Sequence, residues 1–314
     1  MKKLLLSTLV ICMALFVSCK KDSTSTSGGG GTTANKRISQ IYVNGDIRLY
    51  VSSDEGNTWE LLDSLLINEL YESYNWDNDK IVSIDYNDAN YRFVFNYNSS
   101  GMVSNINYCY DDIEFEKCVF SYNGSLINEI NAYSSYEYSN DSLVLYATCN
   151  IEYSNGKPVR LSYTLYDDMY SNNKTDKGLR KYQKNRHNSI FDLYHNGITS
   201  KDGESPYRVV LTWDGKNITK IESVSGNEHN VETFTYDNHR NPFCGGNSLT
   251  AFALSYGSLT NLSANNALSD NCSYSYFEDY LSELSYTNEY ISYYDDAMYK
   301  EIDSITYSLV YLTE

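Results

Sequence analysis

Three tryptophans, Trp59, Trp76 and Trp213, stand among 33 tyrosines and 10 phenylalanines, and these aromatics are the residues best suited to recognition chemistry. A flat aromatic face stacks on a sugar ring, while abundant Asn and Asp side chains would bond its hydroxyls. Trp76 and Trp213 hold equivalent places in a recurring sequence unit, so the competing expectation for this pair is that they fill the core under a sheet. Acid–base chemistry has less behind it. Asp111-Asp112, Asp167-Asp168 and Asp295-Asp296 are adjacent carboxylate pairs, but a glycosidase holds its two carboxyls apart across a cleft. In a chain with 41 acids, neighbours of this kind mark exposed turns. The four histidines, His187, His195, His229 and His239, lie in polar, loop-like stretches, and no G-x-S-x-G nucleophile turn accompanies them. Neither a P-loop nor G-x-G-x-x-G occurs. Asp77-Asn78-Asp79 opens like a calcium loop, but Lys80 and Ile81 follow where further oxygen ligands and a glycine belong.

Cysteine chemistry is limited by spacing. No C-x-x-C pair exists among the seven cysteines, which argues against zinc. Cys109 and Cys118 flank the acidic, turn-like stretch YDDIEFEK and could face each other across a hairpin as a disulfide. The chemistry expected is therefore non-catalytic, with no metal and no cofactor. A glycoside hydrolase is the weakest of the function classes considered.

The elements that must carry these residues repeat. An aromatic, a turn of Asn, Asp or Gly, an apolar pair, then Ile or Leu recur as YNWDNDKIVSIDY, FNYNSSGMVSNINY, FSYNGSLINEINAY, IEYSNGKPVRLSY and LTWDGKNITKIES. A partial copy, FTYDNHRNPF, starts at Phe234, and a further unit is expected near FDLYHNGITS. The turn-leading aromatics are Trp76, Tyr97, Tyr122, Tyr153, Trp213 and Tyr236. Alternation with period two around Asn-Gly and Asp-Gly steps is a strong hairpin signal. The expectation is an all-β fold: an antiparallel meander of repeated hairpins, forming an extended, strongly curved or partly closed sheet over residues 38–314 as a single domain. Residues 55–72 are ambiguous, being strand by the repeat logic but carrying leucines at near-helical spacing. Residues 167–188 read as a long exposed loop, and 245–269 as irregular with room for a helical turn.

The N-terminus sets an address. Lys2 and Lys3 precede an apolar run from Leu4 to Val17, which is shorter than the ~20 residues of a membrane-spanning helix. Residues 1–18 read as a cleaved secretory signal. Phe16-Val17-Ser18-Cys19 resembles the lipobox of bacterial lipoproteins, with Phe16 where Leu or Val is usual, and implies acylation of Cys19. Residues 19–37, rich in Ser, Thr and Gly, read as a flexible tether. Lys20-Lys21-Asp22 partly resembles the export signal of Bacteroidetes surface lipoproteins, with one acid where two are usual. The expected location is the outer membrane, facing the cell surface or the periplasm. A net charge of −17 repels nucleic acid. The partners expected are thus the membrane, through the lipid, and a glycan or envelope protein.

The repeat units resemble the YD-type (RHS-like) repeats of secreted bacterial proteins. More specifically, the C-terminal half resembles a family of Bacteroidetes lipoproteins of unknown function, on Tyr236-Asp237, Asn241-Pro242-Phe243 and Asn265-Asn266. The likeness covers about residues 38–314 and implies architecture and cell address, without an activity. Two functions follow as expectations: a surface-displayed binding protein for a glycan or another extracellular ligand, or a structural, protein-interaction lipoprotein.

Overall fold

Asn-Gly and related steps turn the chain back on itself. Both residues of Asn155-Gly156 are left-handed, with φ 51° and 75°, as a two-residue hairpin turn matched to strand twist requires. Asp111-Asp112 makes a similar turn without glycine, with φ 47° and 68°, since a short polar side chain tolerates that region. The computed structural model describes residues 36–54, 56–87, 90–135, 143–166, 207–225, 228–269, 272–294 and 297–312. The expected signal peptide, Cys19, most of the tether, the 167–188 loop and the FDLYHNGITS unit lie outside them.

The described residues form seventeen strands in chain order. They are β1 (Ile38–Ser52), β2 (Glu60–Asp77), β3 (Lys80–Tyr86), β4 (Tyr91–Tyr97), β5 (Val103–Tyr110) and β6 (Ile113–Asn123). Next come β7 (Leu126–Ser134), β8 (Val144–Ser154), β9 (Lys157–Leu165), β10 (Tyr207–Asp214), β11 (Asn217–Ser225) and β12 (Glu228–Thr233). The last are β13 (Thr235–Arg240), β14 (Asn265–Leu268), β15 (Cys272–Phe277), β16 (Tyr280–Tyr294) and β17 (Ala297–Tyr311). From β1 to β12 each strand pairs antiparallel with the next. The final hairpin returns to the start: β17 lies against the free side of β1, with β16 and β15 beyond it. The antiparallel meander expected from the repeats is therefore correct, and the sheet does not close.

One helix, α1 (Gly246–Ser255), and a 3-10 turn (Leu259–Leu262) separate β13 from β14. The helix packs on β3 and β5 while the 3-10 turn packs on β11 and β14. A short segment touching strands so far apart in the ladder requires the sheet to curl around it. Ala251, Leu254 and Leu259 are fully buried there and join one hydrophobic cluster with Ile41, Ile84, Ile106, Ile130, Leu161, Val209 and Ile305. Of the ambiguous 55–72 segment, Glu60 onward is strand, bonded to β1, and the described residues before it form the turn that leads into it. The leucine spacing reflects a strand with two different faces, Leu65 and Ile67 packing inward while Leu61, Leu62 and Leu66 face water.

Candidate functional site

The turn-leading aromatics form a ladder along one end of the sheet. Opposite five of the six the register slips by one residue, at Asn75/Trp76, Asn96/Tyr97, Ser121/Tyr122, Glu152/Tyr153 and Thr212/Trp213. Such a bulge disrupts strand bonding locally, and a backbone carbonyl beside it must find another donor. The aromatic of the neighbouring hairpin supplies it. Tyr97 Oη donates to Ile81 O at 2.7 Å, Tyr122 Oη to Val103 O at 2.8 Å, and Trp213 Nε1 to Pro158 O at 2.7 Å. Trp76 Nε1 donates to Ile38 O at 2.8 Å and Tyr236 Oη to Ile218 O at 2.5 Å. Five of the six rings use a donor at the tip in this way, which explains why the repeat uses Tyr and Trp where Phe would fill the same space. Lys80 sits 5.0 Å over the Tyr97 ring, Lys157 5.1 Å over Trp213 and Arg37 5.7 Å over Trp76.

Trp76 and Trp213 are thus half-buried against the core, bonded at the indole nitrogen and covered by a cation. Their geometry matches the core-filling expectation better than the sugar-stacking one. Trp213→Phe keeps the ring but removes the donor. It should cost about 1 kcal/mol, a fall of roughly 2–4 °C in thermal unfolding followed by circular dichroism. An unchanged melting temperature would show that the indole bond contributes nothing.

The segments YD, NPF and NN come together as one knot. Asp237 Oδ1 accepts from His239 N and Asn266 N, both at 3.0 Å, and Oδ2 accepts from Asn266 Nδ2 at 2.9 Å and Tyr276 Oη at 2.6 Å. Asn241 Nδ2 donates to Ser263 O at 3.0 Å, and its Oδ1 accepts from Phe243 N at 2.9 Å. Asn265 Nδ2 donates to His239 O at 2.7 Å and its Oδ1 accepts from Asn217 Nδ2 at 3.1 Å. Pro242 is buried, and Phe243 packs on the hydrophobic cluster. This knot fastens the two ends of the α1 insertion to β11 and β15. At the helix start, Asn247 Oδ1 accepts from Val103 N at 2.6 Å and Ser248 Oγ pairs with Tyr97 Oη at 2.7 Å, which docks α1 on the ladder. The assembled motif does the work of a structural clamp.

Opposite the ladder, four strands run on past the core. β3 begins to pair with β2 at Glu72, so Glu60–Leu70 is bonded on one side only, to β1. β15 reaches β16 only as far as Tyr286, so the outer half of β16 pairs with β17 alone. The result is an arm in the order β16–β17–β1–β2. On its outer strand Leu61 and Leu62 are each 56% exposed and Leu66 is 78% exposed. Trp59 closes the tip. Lys300 lies 4.6 Å over its ring and 5.4 Å over Tyr50, and Asp54 accepts from Thr58 N at 2.8 Å and Thr58 Oγ1 at 2.6 Å. Bonds from Thr58 and Ser52 hold the Asp54 carboxyl at about 2.

No known family model matches this chain, and no curated protein matches it.

The remaining sequence candidates disperse. Cys109 and Cys118 are free thiols and do not form the expected disulfide. The hairpin turns at Asp111-Asp112, so Cys109 falls opposite Glu114, whereas Cys118 falls opposite Ile106. Burial pushes the Cys118 thiol well up and that of Cys149 up to about 12. Asp112 is occupied in an ion pair with Arg92 at 2.6 Å; Asp167-Asp168 and Asp295-Asp296 fall outside the described residues, as do His187 and His195. His239 stacks on Tyr276 with ring centres 3.8 Å apart, and His229 lies on exposed β12. Among the described residues no cluster of His, Cys, Asp and Glu is arranged to hold a metal.

Glu72 is a functional candidate that sequence reasoning missed. Its side chain is 5% exposed in the core, where Tyr74 Oη donates to it at 2.7 Å and Tyr86 also donates. Burial raises its pKa to about 7. Asp303 is likewise buried on the inner face of the arm, with a pKa raised to about 6 by burial and by Glu301.

Proposed function

We propose that the chain is an envelope lipoprotein, exported by residues 1–18 and acylated at Cys19, whose β domain acts by binding protein at its arm and without catalysis. The likeness to Bacteroidetes lipoproteins belongs to the same proposal. The observation that carries it is the arm: an exposed apolar strand with an open edge, on strands that leave the core. Its position suits that role. The chain enters β1 at the ladder end, where Ile38 meets Trp76 and Tyr311. β1 is 15 residues long, so the arm tip lies about 50 Å from the tether at ~3.3 Å per residue. A glycan-binding role keeps Trp59 as its one candidate platform, because Trp76 and Trp213 serve the ladder.

Two measurements test this. Wild-type chain should partition into detergent from membranes and Cys19→Ala should stay aqueous, since several acyl chains anchor a protein nearly irreversibly. Cys19→Ala that still enters the detergent phase would overturn the anchor. A photoreactive side chain placed at Leu66 in intact cells should crosslink to protein far more than one placed at Asp214, on a turn of the opposite end. Equal crosslinking from both positions would remove the arm from consideration.

A further inference from the structure

Side chains directly opposed across an antiparallel pair share one face of the sheet, so register sorts the side chains of the arm. On its inner face Glu301 lies between Tyr290 and Leu49, and Asp303, one row deeper, lies between Asn288 and Ile47. The face is open at the first row, where Tyr290 is 41% exposed, and shut beyond the second, where Tyr286 and Ile305 are buried. Asp303 therefore stands at the floor of the inner face, where the arm meets the core.

Nothing answers its charge. Asp303 is only 7% exposed, and its Oδ1 has no hydrogen-bond partner among the described residues. Burial, then the charge of Glu301, push its carboxyl up to about 6. A carboxylate taken out of water is costly unless a cation or hydrogen-bond donors satisfy it. Glu60 and Asp63 share the same face, opposite Val51 and Leu49. Among the described residues of the arm, neither cation joins these four acids. Arg48 and Lys300 both lie on the outer face, Arg48 paired with Asp46 and Lys300 over the rings of Trp59 and Tyr50.

We infer that the inner face receives a Lys or Arg side chain of the protein bound at the arm, with its charged head seated against Asp303 and Glu301. The inference rests on the proposed binding role of the arm and names the chemistry of its partner. A basic side chain suits the place at both ends. Its apolar stem lies along Leu49 and Tyr290, and its head supplies the donor that Asp303 lacks. The same four acids repel an acidic partner.

The test uses the full-length chain in intact cells. A photoreactive phenylalanine at Tyr290, about 7 Å along the sheet from Asp303, should crosslink to a protein through a peptide that carries Lys or Arg. Asp303→Asn should cut that product at least tenfold without lowering the melting temperature at pH 7. Glu301→Gln, at a half-buried position that tolerates change, should cut it severalfold. Replacing the partner's basic residue by Gln should cost as much as Asp303→Asn, and the two changes together no more than either alone. A product that persists in both variants, a linked peptide without Lys or Arg, or losses that add, overturns the inference. If Tyr290 captures nothing while Leu66 still crosslinks, the basic contact falls and the binding role of the arm survives. If both positions fall silent, the proposed function falls with it.

Discussion

Asp237→Ala should lower the melting temperature by roughly 6–12 °C. The carboxylate takes four hydrogen bonds, from two backbone N–H groups, Asn266 Nδ2 and Tyr276 Oη. Removing it strands all four donors in a partly buried site. Bonds to a charged group contribute about 1.5–3 kcal/mol, and water reaches some of these donors, so a net loss of about 3 kcal/mol is expected. In a domain of this size each kcal/mol moves the midpoint by roughly 2–4 °C. The loss should be local in origin: α1 and the 3-10 turn hang from this knot, so their amides should exchange with solvent before those of β5 to β8. Asp237→Asn retains an acceptor for the backbone donors but faces Asn266 Nδ2 with a second donor, and should fall between the two. An alanine variant melting within 2 °C of wild type would show that the knot is not what holds the insertion.

The hairpins were legible because their physics is local. Asn155-Gly156 names its own turn, and Val209, Leu211 and Ile221, alternating with polar residues, name the face that is buried. Equivalence of Trp76 and Trp213 was legible for the same reason. What each ring does was not, because the carbonyl it bonds belongs to a different hairpin, 38 residues away for Trp76 and 55 for Trp213. The return of β17 to β1 is non-local in the extreme and has no signature in either strand. The expected Cys109–Cys118 bond failed over the turn position: a turn placed midway between the cysteines would have opposed them, and the left-handed Asp111-Asp112 pair sits two residues from one and six from the other. Tyr236, Asp237, Asn241, Asn265 and Asn266 were visible as a motif, and only their assembly shows that they clamp the insertion in place.

Glu72 leads to a pH dependence of the opposite sign to that of a paired carboxylate. Tyr71 is the extra residue of a bulge, between Leu70 opposite Tyr42 and Glu72 opposite Ile41. That slip turns Glu72 into the core beside Tyr74, where a period-two count forward from Ile67 would leave it facing water. Burial lifts its pKa from 4.5 to about 7, against the opposing effect of the two tyrosine hydroxyls. The folded state therefore binds this proton more tightly than the unfolded chain does. Its contribution to stability is complete below about pH 4.5 and is lost as pH rises through about 7, a total on the order of 3 kcal/mol. Asp303, raised to about 6, acts in the same direction. Accumulating negative charge on the rest of the molecule also weakens the fold as pH rises, so the contribution of Glu72 is read from a difference between proteins. Glu72→Gln keeps an acceptor for Tyr74 and cannot ionise. Its urea midpoint should match or fall below wild type at pH 5, cross it near pH 6, and exceed it at pH 8 by the equivalent of about 2 kcal/mol. Parallel midpoints for the two proteins from pH 5 to pH 8 would mean that Glu72 is neutralised at little cost or reached by water, and that the buried carboxylate does not govern the response.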